Sequence, residues 1–148
     1  MHANTAILLD VGAEYAGYAA DISRTYVKGK NDRAAAVIAA VKNVQSNLIA
    51  QVKPGVTWNE LSEKALDMVA DELLALKVIT NKKDAQKYFP HAFGHFLGLD
   101  VHDVGDYSQP LAENMVITVE PGIYIPEEAI GVRFEDDILV TKTGAKVL

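Results

Sequence analysis

The chain has 148 residues, 49% of them hydrophobic, which is the length and apolar fraction of one globular domain rather than of a disordered segment. Its net charge of -6, from 20 acidic and 14 basic residues with no Lys/Arg stripe, argues against nucleic acid or an anionic membrane surface as a partner. Cysteine is absent, so any metal must be held by Asp, Glu and His, and a reducing, cytoplasmic setting is the expectation. Charged residues interrupt every apolar stretch short of the roughly 20 residues a membrane span needs, and the N-terminus lacks a basic-then-apolar signal pattern.

In chain order, the apolar run from Ala6 to Val11 and the extended stretch from Tyr18 to Val27, joined through a Gly-containing connection, predict a β-hairpin. Asp32 is placed to cap a helix in which Val37, Val41, Val44, Leu48 and Val52 recur at helical spacing until Pro54-Gly55. Thr57 and Glu60 form a T-x-x-E capping box, and Leu61, Ala65, Met68, Val69 and Leu73 then predict a second amphipathic helix to about Lys77. Lys82 to Asp106 turns to glycines, aromatics and three histidines. Met115 to Glu120 and Val132 to Thr141 read as strands joined through Pro121-Gly122 and Pro126. The expectation is one α+β domain over residues 1–148, with helices on one face of an antiparallel sheet.

Two anomalies point to chemistry. Asp10, Asp21, Glu120 and Glu135 all fall inside apolar strand patterns, where an ionised carboxylate buried without a partner costs several kcal/mol. His91, His95 and His102 crowd into one segment, and imidazole is a common nitrogen ligand for borderline divalent ions. Although His91 and His95 are four residues apart, Gly94 and Gly98 argue against a regular helix between them. Carboxylates with one imidazole and no thiolate suit two ions such as Mn, Co or Zn with a bridging water, and two divalent ions would balance four carboxylate charges. Arg133, two residues before Glu135 on the same expected strand, would share its face and could contact a ligand carboxylate or a substrate. Glu14, Asp100, Asp103, Asp136 and Asp137 are left outside the ligand set by strand alternation or by turn positions.

Four ordered blocks then resemble a known family. Asp10-Val-Gly-Ala-Glu-Tyr with Gly17-Tyr-Ala-Ala-Asp21-Ile-Ser-Arg-Thr, the His91–His102 segment, Thr118-Val-Glu120-Pro-Gly and Val132-Arg133-Phe-Glu135-Asp-Asp are similar to the pita-bread metallopeptidases, in their aminopeptidase P and prolidase branch. The resemblance implies a pita-bread fold, two divalent ions with manganese the most natural, and hydrolysis of peptide bonds beside proline. It implies that Asp10 binds one ion, Asp21 and Glu135 bridge both, and His95 and Glu120 hold the second. It further implies that His91, His102 and Arg133 contact substrate or the tetrahedral intermediate, and that Glu120 moves the proton towards the leaving nitrogen. Methionine aminopeptidases share the fold and ligands, but the His91-to-His102 spacing and the Arg-x-Glu-Asp ending favour the proline-directed branch.

The resemblance also implies helices and a strand ahead of the Asp10 block, with a further substrate-contacting histidine. His2 is too close to Asp10 to take that role. The chain is therefore expected to be a truncated catalytic domain that associates with its missing N-terminal portion or forms a homo-oligomer. A non-catalytic peptide-binding module on the same fold is the rival, as is a metal-free creatinase-like hydrolase; both are disfavoured by the filled ligand set.

Overall fold

A computed structural model describes residues 4–148, so His2 lies outside the described residues. Strands β1 (Thr5–Tyr15) and β2 (Tyr18–Lys28) pair antiparallel through the two-residue turn Ala16-Gly17. Both turn residues have positive φ, 53° and 85°, the geometry whose twist matches that of a hairpin. The expected hairpin is present and longer than the apolar runs suggested.

Helix α1 (Asp32–Ile49) is capped by Asn31, whose side chain accepts from the Ala34 N–H at 2.9 Å. The expected cap at Asp32 is therefore corrected by one residue. Asp32 occupies the first turn, where its charge favours the helix dipole. Helix α2 (Trp58–Ala75) carries the capping box as expected: the Glu60 N–H donates to Thr57 Oγ1, and the Thr57 N–H donates to Glu60 Oε2. Val37, Val41, Val44 and Leu48 of α1 and Leu61, Ala65, Val69 and Leu73 of α2 form one buried core with the later strands. No helix among the described residues is long and apolar enough to cross a membrane.

The C-terminal half departs from its two expected strands. Strands β3 (Val116–Val119), β4 (Gly122–Ile125), β5 (Ile130–Arg133), β6 (Asp136–Val140) and β7 (Ala145–Val147) form two further antiparallel sheets, ordered β3-β6-β7 and β4-β5. The stretch taken as a connection, Gly122–Ile125, is thus a strand, and the stretch taken as one strand, Val132–Thr141, is two. The strand is interrupted at Phe134-Glu135, where the Glu135 N–H donates to the Ser23 carbonyl of β2 at 3.1 Å. That break is what carries Glu135 under the hairpin.

Segment Phe93–Leu97 runs along the open edge of β3. The Glu120 N–H donates to Phe93 O and the Thr118 N–H to His95 O, both at 2.8 Å, while the Leu97 N–H donates to Val116 O at 3.2 Å. Gly94 permits this approach: a methyl there would stand 2.0 Å from the Thr118 carbonyl oxygen. As expected, His91 and His95 lie on no helix.

Candidate metal centre and substrate pocket

Strand alternation splits the hairpin into two faces. Asp10, Asp21, Ser23 and Thr25 share the inner face, above β5 and β6. Ser23 and Thr25 are fully buried, and Thr25 Oγ1 donates to the Arg133 carbonyl and accepts from the Arg133 N–H, both at 3.1 Å, which clamps β2 over β5.

Beneath the hairpin, Asp21, His95 and Glu135 present ligand atoms that all lie within 4.8 Å of one another. The His95 Nδ1–H donates to the Phe96 carbonyl at 2.9 Å, so this tautomer leaves the Nε2 lone pair as the free acceptor. That nitrogen faces Glu120 Oε1 at 3.5 Å, Asp21 Oδ2 at 3.6 Å and Glu135 Oε1 at 3.9 Å. Four acceptors pointed at each other repel unless protons or cations lie between them, so the donor set fits hard or borderline metal ions.

Electrostatics say the same. Burial pushes both Glu120 and Glu135 from the ordinary 4.5 up to about 7, with the neighbouring acids adding to it. Asp21 is also raised, first by burial and then by Asp10. Opposing groups hold these carboxylates in place. Ser23 Oγ–H donates to Glu135 Oε2 at 2.7 Å, and Thr118 Oγ–H to Glu120 Oε1 at 3.3 Å. Asp137, assigned no role from the sequence, is buried and accepts the Asp21 backbone N–H at 3.2 Å, which fixes β2 at its ligand position. Its burial raises its own pKa.

Asp10 stands at the margin. It is on the inner face, but its side chain is 54% exposed and paired with Arg133, so the expectation that it is a buried strand carboxylate is corrected. Glu120 directly follows β3 and Glu135 lies between β5 and β6, so neither is inside a strand. Arg133 still reaches Glu120 and Glu135, with its Nε 3.9 Å from an oxygen of each, but it does so from the end of β5, across the interruption between β5 and β6, rather than along one strand face.

Tyr124 was not singled out in the sequence, because β4 itself was not expected. Its hydroxyl accepts from Arg133 Nη1 at 3.0 Å and donates to His91 Nε2 at 2.8 Å, while the His91 Nδ1–H donates to the Ala92 carbonyl at 2.7 Å. Both His91 nitrogens are thereby satisfied, and burial lowers its pKa, so the ring is neutral at pH 7 and offers its face and edge. His102 is exposed and meets the His95 ring edge-on, centroids 4.3 Å apart.

These groups open onto a cavity of about 570 Å³ lined by Trp58, His91, His95, His102, Tyr107, Glu120 and Arg133. Trp58 anchors its apolar wall, with its ring 4.6 Å from both Phe93 and Tyr107. The cavity thus has one wall that carries the candidate ligands His95 and Glu120 and one aromatic wall.

Residues 1–142 match the profile of metallopeptidase family M24. The chain belongs to that family. Human Xaa-Pro aminopeptidase 3 is 38% identical over 96% of the chain, and the Xaa-Pro dipeptidase of Pyrococcus horikoshii is 40% identical over the same share. Among solved structures, Pseudomonas aeruginosa aminopeptidase PepP superposes with a TM-score of 0.90 at 33% identity over 96% of the chain, and the P. horikoshii prolidase with 0.84 at 38% identity over 99%. The M24 chain thus has the pita-bread fold. It spans 32% and 38% of the two curated relatives and 37% and 40% of the two solved chains.

Proposed function

We propose that this M24 chain is a partial catalytic domain, residues 1–148, that hydrolyses peptide bonds preceding proline, as an Xaa-Pro aminopeptidase or dipeptidase with two divalent ions, manganese by preference, in a cytoplasmic setting. The observation that carries the reading is the His95 lone pair facing three carboxylates, in a chain whose relatives bear Xaa-Pro peptidase names. Asp21, Glu135, His95 and Glu120 would hold the ions, with Asp10 completing the set once released from Arg133. Bound there, such ions would lower the pKa of a water and polarise the scissile carbonyl.

The chain's own groups supply the rest. Glu120, which faces the His95 lone pair, can take a proton and pass it to the leaving nitrogen. Arg133 positions Glu120, Glu135 and, through Tyr124, the His91 ring, against which a proline ring can pack opposite Trp58. His102 at the rim is placed to donate to the substrate carbonyl. Substrates are Xaa-Pro peptides.

A second reading has its own support: a metal-binding module that needs another copy or the remaining part of a longer protein for turnover. Leu9, Val11, Ile22 and Tyr26, on the outer face of the hairpin, are all exposed, which is an unusual cost for an isolated domain. One experiment tests both. Metal per chain is measured after dialysis against manganese, alongside cleavage of an Xaa-Pro peptide and sedimentation. Two ions with turnover support the first reading, and ions without turnover support the second. No bound metal overturns both.

A further inference from the structure

Asp136, left without a role by strand alternation, belongs to a network behind the candidate ligands. By alternation Arg24 shares the outer row of β2 with Ile22 and Tyr26, yet its guanidinium reaches the interruption between β5 and β6. There Nη1 donates to the Ser23 carbonyl at 2.9 Å and to the Glu135 carbonyl, while Nη2 pairs with Asp136 Oδ1. The other Asp136 oxygen accepts from buried Gln45 of α1 at 3.0 Å, and the same Gln45 nitrogen donates to the Val119 carbonyl at 3.3 Å. That carbonyl belongs to the peptide that carries the Glu120 nitrogen. We propose that Arg24, Asp136 and Gln45 are positioning residues that fix the backbones of Glu135 and Glu120 together, and so set the spacing of these two metal ligands. The proposal rests on the metal-centre reading given above.

Glu135 falls between β5 and β6, so strand pairing does not fix it. Its N–H and its carbonyl are instead both tied to Ser23, the first directly at 3.1 Å and the second through the Arg24 guanidinium, which spans the two carbonyls. Three acceptors are engaged at once, which suits the planar fork of a guanidinium; the ammonium of a lysine is a point donor that does not span them. Gln45 carries the constraint across the sheet, since Val119 and Asp136 are partners in the β3–β6 register. Glu120 follows Val119, so two of the carboxylates that face His95 are mounted on one network. None of the three side chains lines the substrate cavity. All three line a separate opening of about 450 Å³, with Lys42, Ser46 and Phe134, so they act on ligand geometry and not on substrate contacts.

Metal affinity tests this independently of turnover, by counting free manganese from its six-line paramagnetic resonance spectrum as the full chain is titrated. Arg24→Ala binds manganese about tenfold more weakly than the unaltered chain, as expected when a group that supports metal ligands is lost. Arg24→Lys stays weak, and with saturating manganese its cleavage of an Xaa-Pro peptide loses kcat at unchanged KM. Arg24 borders the opening and its side chain is 33% exposed, so guanidinium ion, at concentrations far below those that unfold proteins, enters the space vacated in Arg24→Ala and recovers most of the lost affinity. Ammonium ion does not. Full manganese affinity in Arg24→Ala, or a loss that guanidinium fails to recover, overturns the positioning role and leaves the metal centre intact. Should Arg24→Ala not fold, Asp136→Asn decides, because it keeps the side-chain volume: affinity lowered at least about threefold supports the role, and unchanged affinity overturns it. An unaltered chain that binds no manganese overturns the metal centre and the positioning role with it.

Discussion

The two faces of the β1–β2 hairpin invert the usual arrangement of a half-buried sheet. The face turned to the protein carries Asp10, Asp21, Ser23 and Thr25, while the face turned to solvent carries Leu9, Val11, Ile22 and Tyr26. A hairpin optimised for its own stability would place the apolar row inside. Here the inner row is polar because it holds the candidate metal site, and stability at that face comes from Ser23, Thr25 and Asp137 hydrogen bonds rather than from apolar burial. The inner face carries the candidate ligands, and the outer face has the composition of an interface.

The largest way to break the inner face is Asp21→Ala. Removing a central ligand should weaken manganese binding by at least about 100-fold in a calorimetric titration, more than loss of a supporting group costs. Retention of full affinity would place the metal elsewhere.

The next effect is on stability without metal. In the unfolded chain Glu120 and Glu135 lose their protons near 4.5, whereas in the folded chain burial holds them to about 7. The folded state therefore binds more protons between those values, and the metal-free chain becomes less stable as pH rises from about 4.5 to 7, then levels off. Each carboxyl contributes on the order of 3 kcal/mol at most, and the pair less than twice that because they interact. Manganese binds the deprotonated form, so with saturating metal the slope should flatten or reverse. Urea denaturation at several pH values, with and without manganese, checks both parts.

Tyr124→Phe is gentler. It removes one hydrogen bond given and one received, at a cost of about 1 kcal/mol, and the His91 pKa should move up because its neutral form loses a donor. A histidine NMR titration reads this, and an unmoved His91 would sever the link from Arg133. Smallest of all, Leu9→Lys with Val11→Lys should change stability by no more than about 0.5 kcal/mol each, since both side chains are already exposed, while reducing self-association in sedimentation. A large loss of stability would show that the outer face is already covered.

Local chemistry in the sequence was sufficient for the hairpin and the helices. Periodicity, the Thr57 capping box and the Pro54-Gly55 stop act over a few residues, so α2 was read nearly to its ends and α1 missed its cap by one position. The ordered Asp, His and Glu blocks likewise named the residues that converge, and the family they resemble. What the sequence could not decide is where β-strands stop when their partners are distant. Val132–Thr141 is strand-like at both ends, and the interruption at Phe134-Glu135 goes with a distant contact, the Glu135 N–H to the Ser23 carbonyl. For the same reason β4 and Tyr124 are not legible in the sequence and Asp137 is left there without a role, since their importance lies in contacts between separate elements. The sequence by itself determined which donors are available. Only tertiary structure decided that Asp10 pairs with Arg133, that the His95 lone pair meets three carboxylates, and that the apolar row of the hairpin faces water, because each depends on how separate sheets stack and not on any local preference.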